Sequence, residues 1–477
     1  MNDASAIVMP VDMHRLLDAQ RAAFERDRLP SAKVRIDRID RVIDMTEKHR
    51  TAVIRAIDAD FGGRSAHETM LGDLFAVIAD AKHTRRHLRS WMTTKRVPTR
   101  IIFRPGRNRL MRQPLGVVGI VSPWNYPYFL SMAPAIGALA AGNRVMLKPS
   151  ELSPRFSELL AHIVADSFAP EEVTVVQGDG ETGRAFCDLP FDHLLFTGST
   201  AVGRKVALAA ARNLTPVTLE LGGKSPAIID ETANLTRSIE RLAIGKLFNA
   251  GQTCVAPDYL LLHESHMAQF EPEFRAFVTK AYPTLASNTD YTSIISERHS
   301  ERLRSLIEDA RSKGARIVPL HESGDAASAT RRIVPPMLLF GADDHMKIMQ
   351  EEIFGPLLPV RTYRKLDEAI AYVNARDRPL SLYWFGENAT NRDRVLRSTI
   401  SGGVTVNDCM WHILQNDSPF GGAGASGIGA YHGEYGFRTF SKDKPVFVQS
   451  RFAMGFTLWP PYGRKFERIE ALLRWFA

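Results

Sequence analysis

Across residues 32–59, Ile36, Ile39 and Ile43 recur at the spacing of one helical face, and Val53, Ile54 and Ile57 continue the stripe. Charged residues fill most positions between them, so the first hundred residues predict helices with one apolar side. In the segment 100–112 two short runs flank Pro105-Gly106-Arg107-Asn108, which predicts an exposed, basic hairpin of the kind that pairs with another subunit.

From Gly116 the pattern changes. Short apolar runs at 116–122, 144–150, 173–178, 193–198, 216–223 and 226–230 alternate with helical segments at Phe129–Ala141, Arg155–Phe168, Glu181–Asp188 and Thr200–Asn213. Strands alternating with helices predict a parallel sheet covered on both faces, the doubly wound α/β plan, with ligands outside the carboxyl ends of the strands. A second α/β segment runs from about Lys224 to Phe420, with helices predicted at 232–250, 265–282, 299–313 and 366–375. The last stretch, Arg464–Phe476, places Phe466, Ile469, Leu472, Leu473 and Phe476 on one face of an amphipathic helix. It packs on its own protein or a subunit, a membrane-surface role being the minor alternative.

Residues 115–143 carry no charge and are long enough to span a bilayer, but Pro123, Pro127 and Pro134 interrupt them and Asn125 sits among them. A buried strand, a loop and a buried helix account for them better. The length of 477 residues implies two or three domains, and 44% hydrophobic with 24% charged residues excludes disordered and fibrous classes. Three scattered cysteines, Cys187, Cys254 and Cys409, exclude a disulfide framework, and no secretory leader is visible, which predicts a cytoplasmic protein. The net charge of +8 raises a nucleic-acid partner as a rival. Charges of both signs are interspersed and the basic clusters lack interleaved aromatics, so no specific nucleic-acid binding is expected.

Two G-x-G-x-x-G matches, 178–183 and 422–427, read as turns: the first lacks the acid after the next strand, and the second has no strand–helix context. Phe196 through Gly203 is a better phosphate site. A strand ends at Gly198, and Ser199 can cap a helix whose free N–H groups face a pyrophosphate. Lys148 and Glu151, just after another strand, supply a cation and a carboxylate able to hold ribose hydroxyls.

Cys254 follows Gly251, Gln252 and Thr253, poor core material that suits a backbone approaching a ligand closely. A thiolate there is a strong nucleophile, whereas Cys187 and Cys409 read as small buried hydrophobes. Glu220 ends an apolar strand before Gly222-Gly223, where burial should raise its pKa toward that of a general base. Asn125, an amide in an apolar stretch, is either a turn former or an oxyanion donor. No metal-ligand spacing and no nucleophile-elbow serine appear.

These segments, with Pro123-Trp124-Asn125, Lys148-Pro149-Ser150-Glu151, Leu219-Glu220-Leu221-Gly222-Gly223-Lys224, Gly251-Gln252-Thr253-Cys254, Glu351-Glu352-Ile353-Phe354-Gly355-Pro356 and Pro419-Phe420-Gly421-Gly422, resemble the aldehyde dehydrogenase superfamily in order and over some 300 residues. Cys254-Val255-Ala256-Pro257-Asp258-Tyr259 and the run from Ser426-Gly427 to Tyr431-His432-Gly433 resemble its class 3 branch of fatty and aromatic aldehyde dehydrogenases, the bacterial coniferyl-aldehyde members most.

The resemblance implies that Cys254 attacks the aldehyde while its backbone N–H and the Asn125 amide hold the oxyanion, and that Glu220 activates the water releasing the acid. It implies that Lys148 and Glu151 contact the adenine ribose, that Gly198, Ser199 and Gly203 shape the pyrophosphate loop, and that Glu352, Phe354 and Trp124 position the nicotinamide end of NAD, with NADP also possible. Tyr126, Trp411 and His412, with Trp124, lie in segments that could line an apolar tunnel. Aromatic aldehydes of the hydroxycinnamyl type are the expected substrates, medium- or long-chain alkanals the alternative. The implied organisation is a dinucleotide-binding domain of 1–98 and 116–223, a catalytic domain of 224–417, a bridging element of 99–115 and 418–450 that supports a homodimer, and a tail helix in 451–477.

Overall fold

Six strands form the first sheet, in the spatial order Gly427–Ile428, Val217–Glu220, His193–Thr197, Val117–Val121, Arg144–Lys148 and Val173–Val175. All neighbours run parallel except the short edge strand Gly427–Ile428, which is antiparallel. The chain builds outward from Val117–Val121 to Val173–Val175, then returns to place His193–Thr197 on its other side. The crevice of a doubly wound sheet opens at that reversal, between the carboxyl ends of Val117–Val121 and His193–Thr197. The computed structural model describes residues 12–321, 331–453 and, beyond these, 459–461, 466, 470 and 474.

The helices predicted between these strands form at Pro127–Ala141, Pro154–Ser167, Gly180–Cys187 and Thr200–Arg212. All fifteen residues of Pro127–Ala141 are buried, which explains why its sequence carries no charge. It packs with Ala32–Phe61 and Ala76–Trp91 in one apolar core that includes Ile39, Val42, Val53, Ile57 and Leu88. Burying each such side chain contributes about 1.5–3 kcal/mol.

A second sheet of seven strands runs from Arg316–Pro319 through Met337–Phe340, Leu357–Tyr363, Tyr259–His263, Pro226–Ile229 and Ser381–Phe385 to Gly403–Val406. Only its first pair is antiparallel. Its flanking helices include Leu235–Leu247, Met267–Ala281, Glu297–Ser312 and Leu366–Asn374, each within a few residues of the predicted range.

The third sheet corrects the hairpin. Residues Ile101–Phe103 form a 3-10 turn, not a strand, and Arg107–Pro114 pairs antiparallel with Lys95–Val97 on one side and Ser441–Val448 on the other. The connection is closed by side chains: the Asn108 amide donates to the Pro98 carbonyl at 3.1 Å, and the Asn108 backbone N–H to the Thr99 hydroxyl at 3.1 Å. Lys95–Val97 is wholly exposed and therefore carries no apolar alternation to reveal it. It joins this third sheet, although the sequence groups it with the segment 1–98. Gly427–Ile428 likewise joins the first sheet and not the bridging element.

The amphipathic run expected over 464–476 lies outside the described residues apart from Phe466, Glu470 and Arg474, as does the N-terminal segment 1–11. Among the described residues no helix is long and apolar enough to cross a membrane, and no group of three or more His, Cys, Asp or Glu is placed to hold a metal ion.

Candidate active site

A cavity of about 670 Å³ opens where the first sheet's crevice meets the second sheet. Trp124 and Asn125 reach it from the loop after Val117–Val121, Gly198 and Ser199 from the loop after His193–Thr197, and Glu220 from the end of Val217–Glu220. Cys254, Glu352 and Phe354 line it from the other side. The sequence separates these residues by up to 230 positions, from Trp124 to Phe354; strand ends facing one crevice bring them together.

Buried polar groups fix the loop that carries Asn125. The helix around residues 66–91 includes a π-helical segment, Met70–Phe75, which turns Asp73 inward. One Asp73 oxygen accepts the backbone N–H groups of Tyr128 and Phe129 at 3.0 and 3.1 Å, capping the buried helix Pro127–Ala141. The other pairs with Arg64 at 3.1 Å, both side chains fully buried. Arg64 in turn donates to the Asn125 carbonyl at 2.7 Å. The Asn125 side chain then donates one N–H to the Gln252 carbonyl at 3.1 Å, leaving its second N–H for the space beside Cys254.

The chain reaches Cys254 through two non-glycine residues in the left-handed region, Asn249 and Ala250. Gln252 is fully buried and holds this turn by donating to the Asn249 and Ser293 carbonyls and accepting from the Ile295 N–H. The Tyr126 hydroxyl meets the Thr253 hydroxyl at 2.6 Å. Burial pushes the Cys254 thiol up to about 12, with the nearby carboxylates of Glu352 and Glu220 adding to the shift. The thiol must therefore lose its proton before or as it attacks.

Glu220 is 1% exposed and neither carboxyl oxygen has a partner, so burial raises it well above the carboxylate range. Glu352 is pushed up to about 8, first by burial and then by Asp258. It lies against the backbone at Gly222, where any side chain would strike its carboxyl group. Two acids whose affinity for a proton is raised by burial, beside a thiol, are suited to proton transfer.

Three of the proposed cofactor contacts, Lys148, Glu151 and Gly203, do not line the cavity. Lys148 is buried, spends its ammonium on the Pro149 and Gly178 carbonyls at 2.8 and 2.9 Å, and thereby ties the strand Arg144–Lys148 to the 178–183 turn. Glu151 is exposed beside it. Gly203 sits inside the helix Thr200–Arg212 and lets it close on Leu221, where a Cβ would come within 2.5 Å.

A second cavity of about 150 Å³ meets the other side of Cys254. Its walls are almost free of polar atoms, and Tyr126, Phe129, Phe248, Trp411 and Phe420 supply its aromatic surface. His412 does not reach it. Its ring nitrogens are engaged by the Thr405 and Ser381 hydroxyls at 2.7 and 3.1 Å, which turns the ring toward the second sheet.

Several contributors escape the sequence reading. Arg64 lies in the loop between two helices, Asp73 in a π-helical segment among apolar neighbours, and Phe129 looks like ordinary core. A charge placed on a buried helical face was the signal available for Asp73.

The residues around the larger cavity fit a dinucleotide. The helix Thr200–Arg212 starts there, and an α-helix leaves its first N–H groups, here those of Thr200 and Ala201, without internal partners. The unpartnered hydroxyl of Thr197 lies beside them. A crevice of this kind next to a thiol, an amide donor and two buried acids suits an oxidoreductase acting on a carbonyl carbon.

Comparison with known proteins identifies which. The family model described as "Aldehyde dehydrogenase family" matches residues 8–446. A probable coniferyl aldehyde dehydrogenase of Pseudomonas aeruginosa is 48% identical over 96% of this chain and 95% of its own length. The coniferyl aldehyde dehydrogenase of Pseudomonas sp. strain HR199 is 47% identical over 96% and 94%. The substrate-bound structure of Staphylococcus aureus AldH superposes with a TM-score of 0.91 at 36% identity, covering 97% of this chain and 99% of that one. The chain belongs to the aldehyde dehydrogenase family, and it is an NAD(P)-dependent oxidoreductase that acts on aldehydes.

Proposed function

We propose that the protein oxidises aromatic aldehydes of the hydroxycinnamyl type, such as coniferaldehyde, to the free acids. The observation that carries this reading is the position of Cys254 on the wall of both cavities, one polar and dinucleotide-sized, the other apolar and lined by aromatic rings. The two coniferyl aldehyde dehydrogenases above, similar over nearly the whole chain, support the same substrate class.

In this reading the aldehyde enters the apolar cavity and the Cys254 sulfur adds to its carbonyl carbon, the thiol proton passing to the ionised form of Glu352, which a group at about 8 begins to populate around neutrality. The negative oxygen of the tetrahedral adduct is held by the free Asn125 N–H and the Cys254 backbone N–H. NAD(P), held by Gly198, Ser199, Trp124, Glu352 and Phe354, with Lys148 and Glu151 at its adenine end, supplies the hydride acceptor. What remains on Cys254 is a thioester. Water attacks it as Glu220 takes the water's proton, and the carbon–sulfur bond breaks to release the acid and restore the thiol.

The first sheet serves as the dinucleotide-binding part and the second as the catalytic part. The third sheet leaves Val97, Phe447 and Val448 exposed, which supports pairing with a second copy in a homodimer. Three free cysteines fit a reducing, cytoplasmic setting.

The test compares kcat/KM for coniferaldehyde and a long alkanal, with acid and NADH followed together. Coniferaldehyde is expected to be preferred. An alkanal preference of about tenfold, roughly 1.4 kcal/mol, rejects the aromatic assignment.

A further inference from the structure

Beyond the apolar cavity lies a third, small one of about 30 Å³, which shares Phe129, Ile413, Leu414 and His432 with it as common walls. Its polar additions are Asp80, from the helix Ala76–Trp91, and Asn416. We propose that Asp80 and His432 form the polar end of the aldehyde site and take the ring hydroxyl of a 4-hydroxylated aromatic aldehyde. This rests on the proposed function and names the part of the molecule that would select within that substrate class.

Two unpartnered groups carry it. Asp80 is 4% exposed and its Oδ1 has no hydrogen-bond partner, while the other carboxyl oxygen serves the Gly433 N–H. His432 is 4% exposed and its Nε2 is also without a partner. Buried polar atoms are rarely left so unless a ligand or an ordered water completes them. Both residues line the small space, which adjoins the apolar cavity at His432 and has Asn416 as its other polar lining residue.

The geometry around His432 is held, not incidental. The residue adopts φ of +85°, and its ring stacks on Phe420 at 5.3 Å and 15° and packs against Phe129 at 5.7 Å. Burial lowers the imidazole to about 4, so it is neutral at pH 7, and with its other ring nitrogen donating to the Ile413 backbone Nε2 is left as an acceptor. Burial raises Asp80 to about 7, so a proton is available on its carboxyl. A phenol both donates and accepts, matching such a pair. The neighbouring Tyr431 phenol, buried and itself without a partner, is influenced by Glu220, Cys254 and Asp80 together.

The space is sized for the task, because a cavity needs only about 10–15 Å³ to hold one water-sized group. A hydroxyl fits there, and a second aromatic ring does not. An alkanal, with no polar end, leaves both groups unpaired, and a site built to bond a hydroxyl discriminates against the analogue that lacks it.

The experiment measures kcat/KM for 4-hydroxycinnamaldehyde and cinnamaldehyde on the same preparations of wild type, Asp80→Ala and His432→Asn. The ratio of two substrates on one preparation is independent of its folded fraction. His432→Asn removes Nε2 yet keeps a residue type that tolerates positive φ, so it carries the test if Asp80→Ala does not fold. We expect the wild type to favour the hydroxylated aldehyde at least tenfold, and either variant to bring the ratio to within about twofold of one. Brisk wild-type turnover of both aldehydes with a ratio near one overturns the proposal alone, as when a permanent water fills the small cavity. A wild-type preference that survives in the folded variants does the same. If the wild type oxidises neither aldehyde but does oxidise alkanals, the proposed function falls and this inference with it.

Discussion

A Cβ built on Gly222 stands 2.0 Å from Oε2 of Glu352, so the carboxyl group occupies the space that any other residue at 222 would fill. The pairing joins the end of the first sheet to the loop before the strand Leu357–Tyr363 of the second. Gly222→Ala must displace the Glu352 carboxyl, the movable end of a flexible side chain, so the cost lies at the low end of overpacking, about 1 kcal/mol. We expect the variant to show a KM for NAD raised about tenfold and a lower denaturation midpoint. In a Glu352→Ala background the same Gly222→Ala change should cost under about 0.5 kcal/mol, because the clash is gone. Equal costs in both backgrounds, from urea denaturation of the four proteins, would show that the two residues are not coupled.

The acidity of Cys254 depends on its neighbours in a pH-dependent way. Glu352, at about 8, is largely protonated at pH 6.5 and ionised at pH 9. Only the ionised form raises the thiol further, since a negative neighbour disfavours the thiolate. Glu352→Gln should therefore speed alkylation of Cys254 by iodoacetamide about threefold or more at pH 9 and leave it within about twofold at pH 6.5. Cofactor-free protein and peptide mapping of the labelled thiol give the readout. Acceleration of similar size at both pH values would assign the effect to altered access instead of charge.

The two half-reactions should separate by mutation. Cys254→Ser removes the sulfur that adds to the carbonyl, and we expect turnover to fall by about 10³-fold or more while NAD binding, read by fluorescence titration, stays intact. Glu220→Gln keeps the shape of a side chain whose oxygens touch no partner, so the fold should tolerate it. Stopped-flow absorbance should then show about one NADH per active site, followed by a much slower steady state. A steady-state rate equal to that of the wild type would mean that another group activates the water.

Much of this was readable in the chain. The strands of the first sheet announce themselves as apolar runs because both faces are covered, and their helices follow the 3.6-residue period, so Val117–Val121, Arg144–Lys148, His193–Thr197 and Val217–Glu220 fall where the pattern puts them. Glu220 and Asn125 stand out because polar groups in such runs need a reason. What could not be read depends on contacts between distant segments. His412 is aromatic and near Trp411 in sequence, but Thr405 and Ser381 claim its ring. Lys95–Val97 becomes a strand only because Arg107–Pro114 offers it an edge, and its own residues carry no alternation. The protonated state of Cys254 is a property of burial beside two acids, which no local motif encodes.

The same limit hides the Arg64–Asp73 pair, whose value lies in what it holds. Both side chains are fully buried, Asp73 caps the helix Pro127–Ala141 through the Tyr128 and Phe129 N–H groups, and Arg64 holds the Asn125 carbonyl. Asp73→Ala leaves a guanidinium without its counter-charge and a buried helix start without its acceptor, a loss of about 3–5 kcal/mol. Asp73→Asn keeps an oxygen for the helix N–H groups and should lose less. Because Arg64 also orients the loop bearing Asn125, the folded Asp73→Asn protein should show a reduced kcat with the KM for NAD nearly unchanged, since the oxyanion donor is misplaced while the pyrophosphate loop is untouched. Urea denaturation and steady-state kinetics on the same samples separate the two effects. If kcat is unaffected in a variant that is clearly destabilised, the ion pair braces the fold and has no part in placing Asn125.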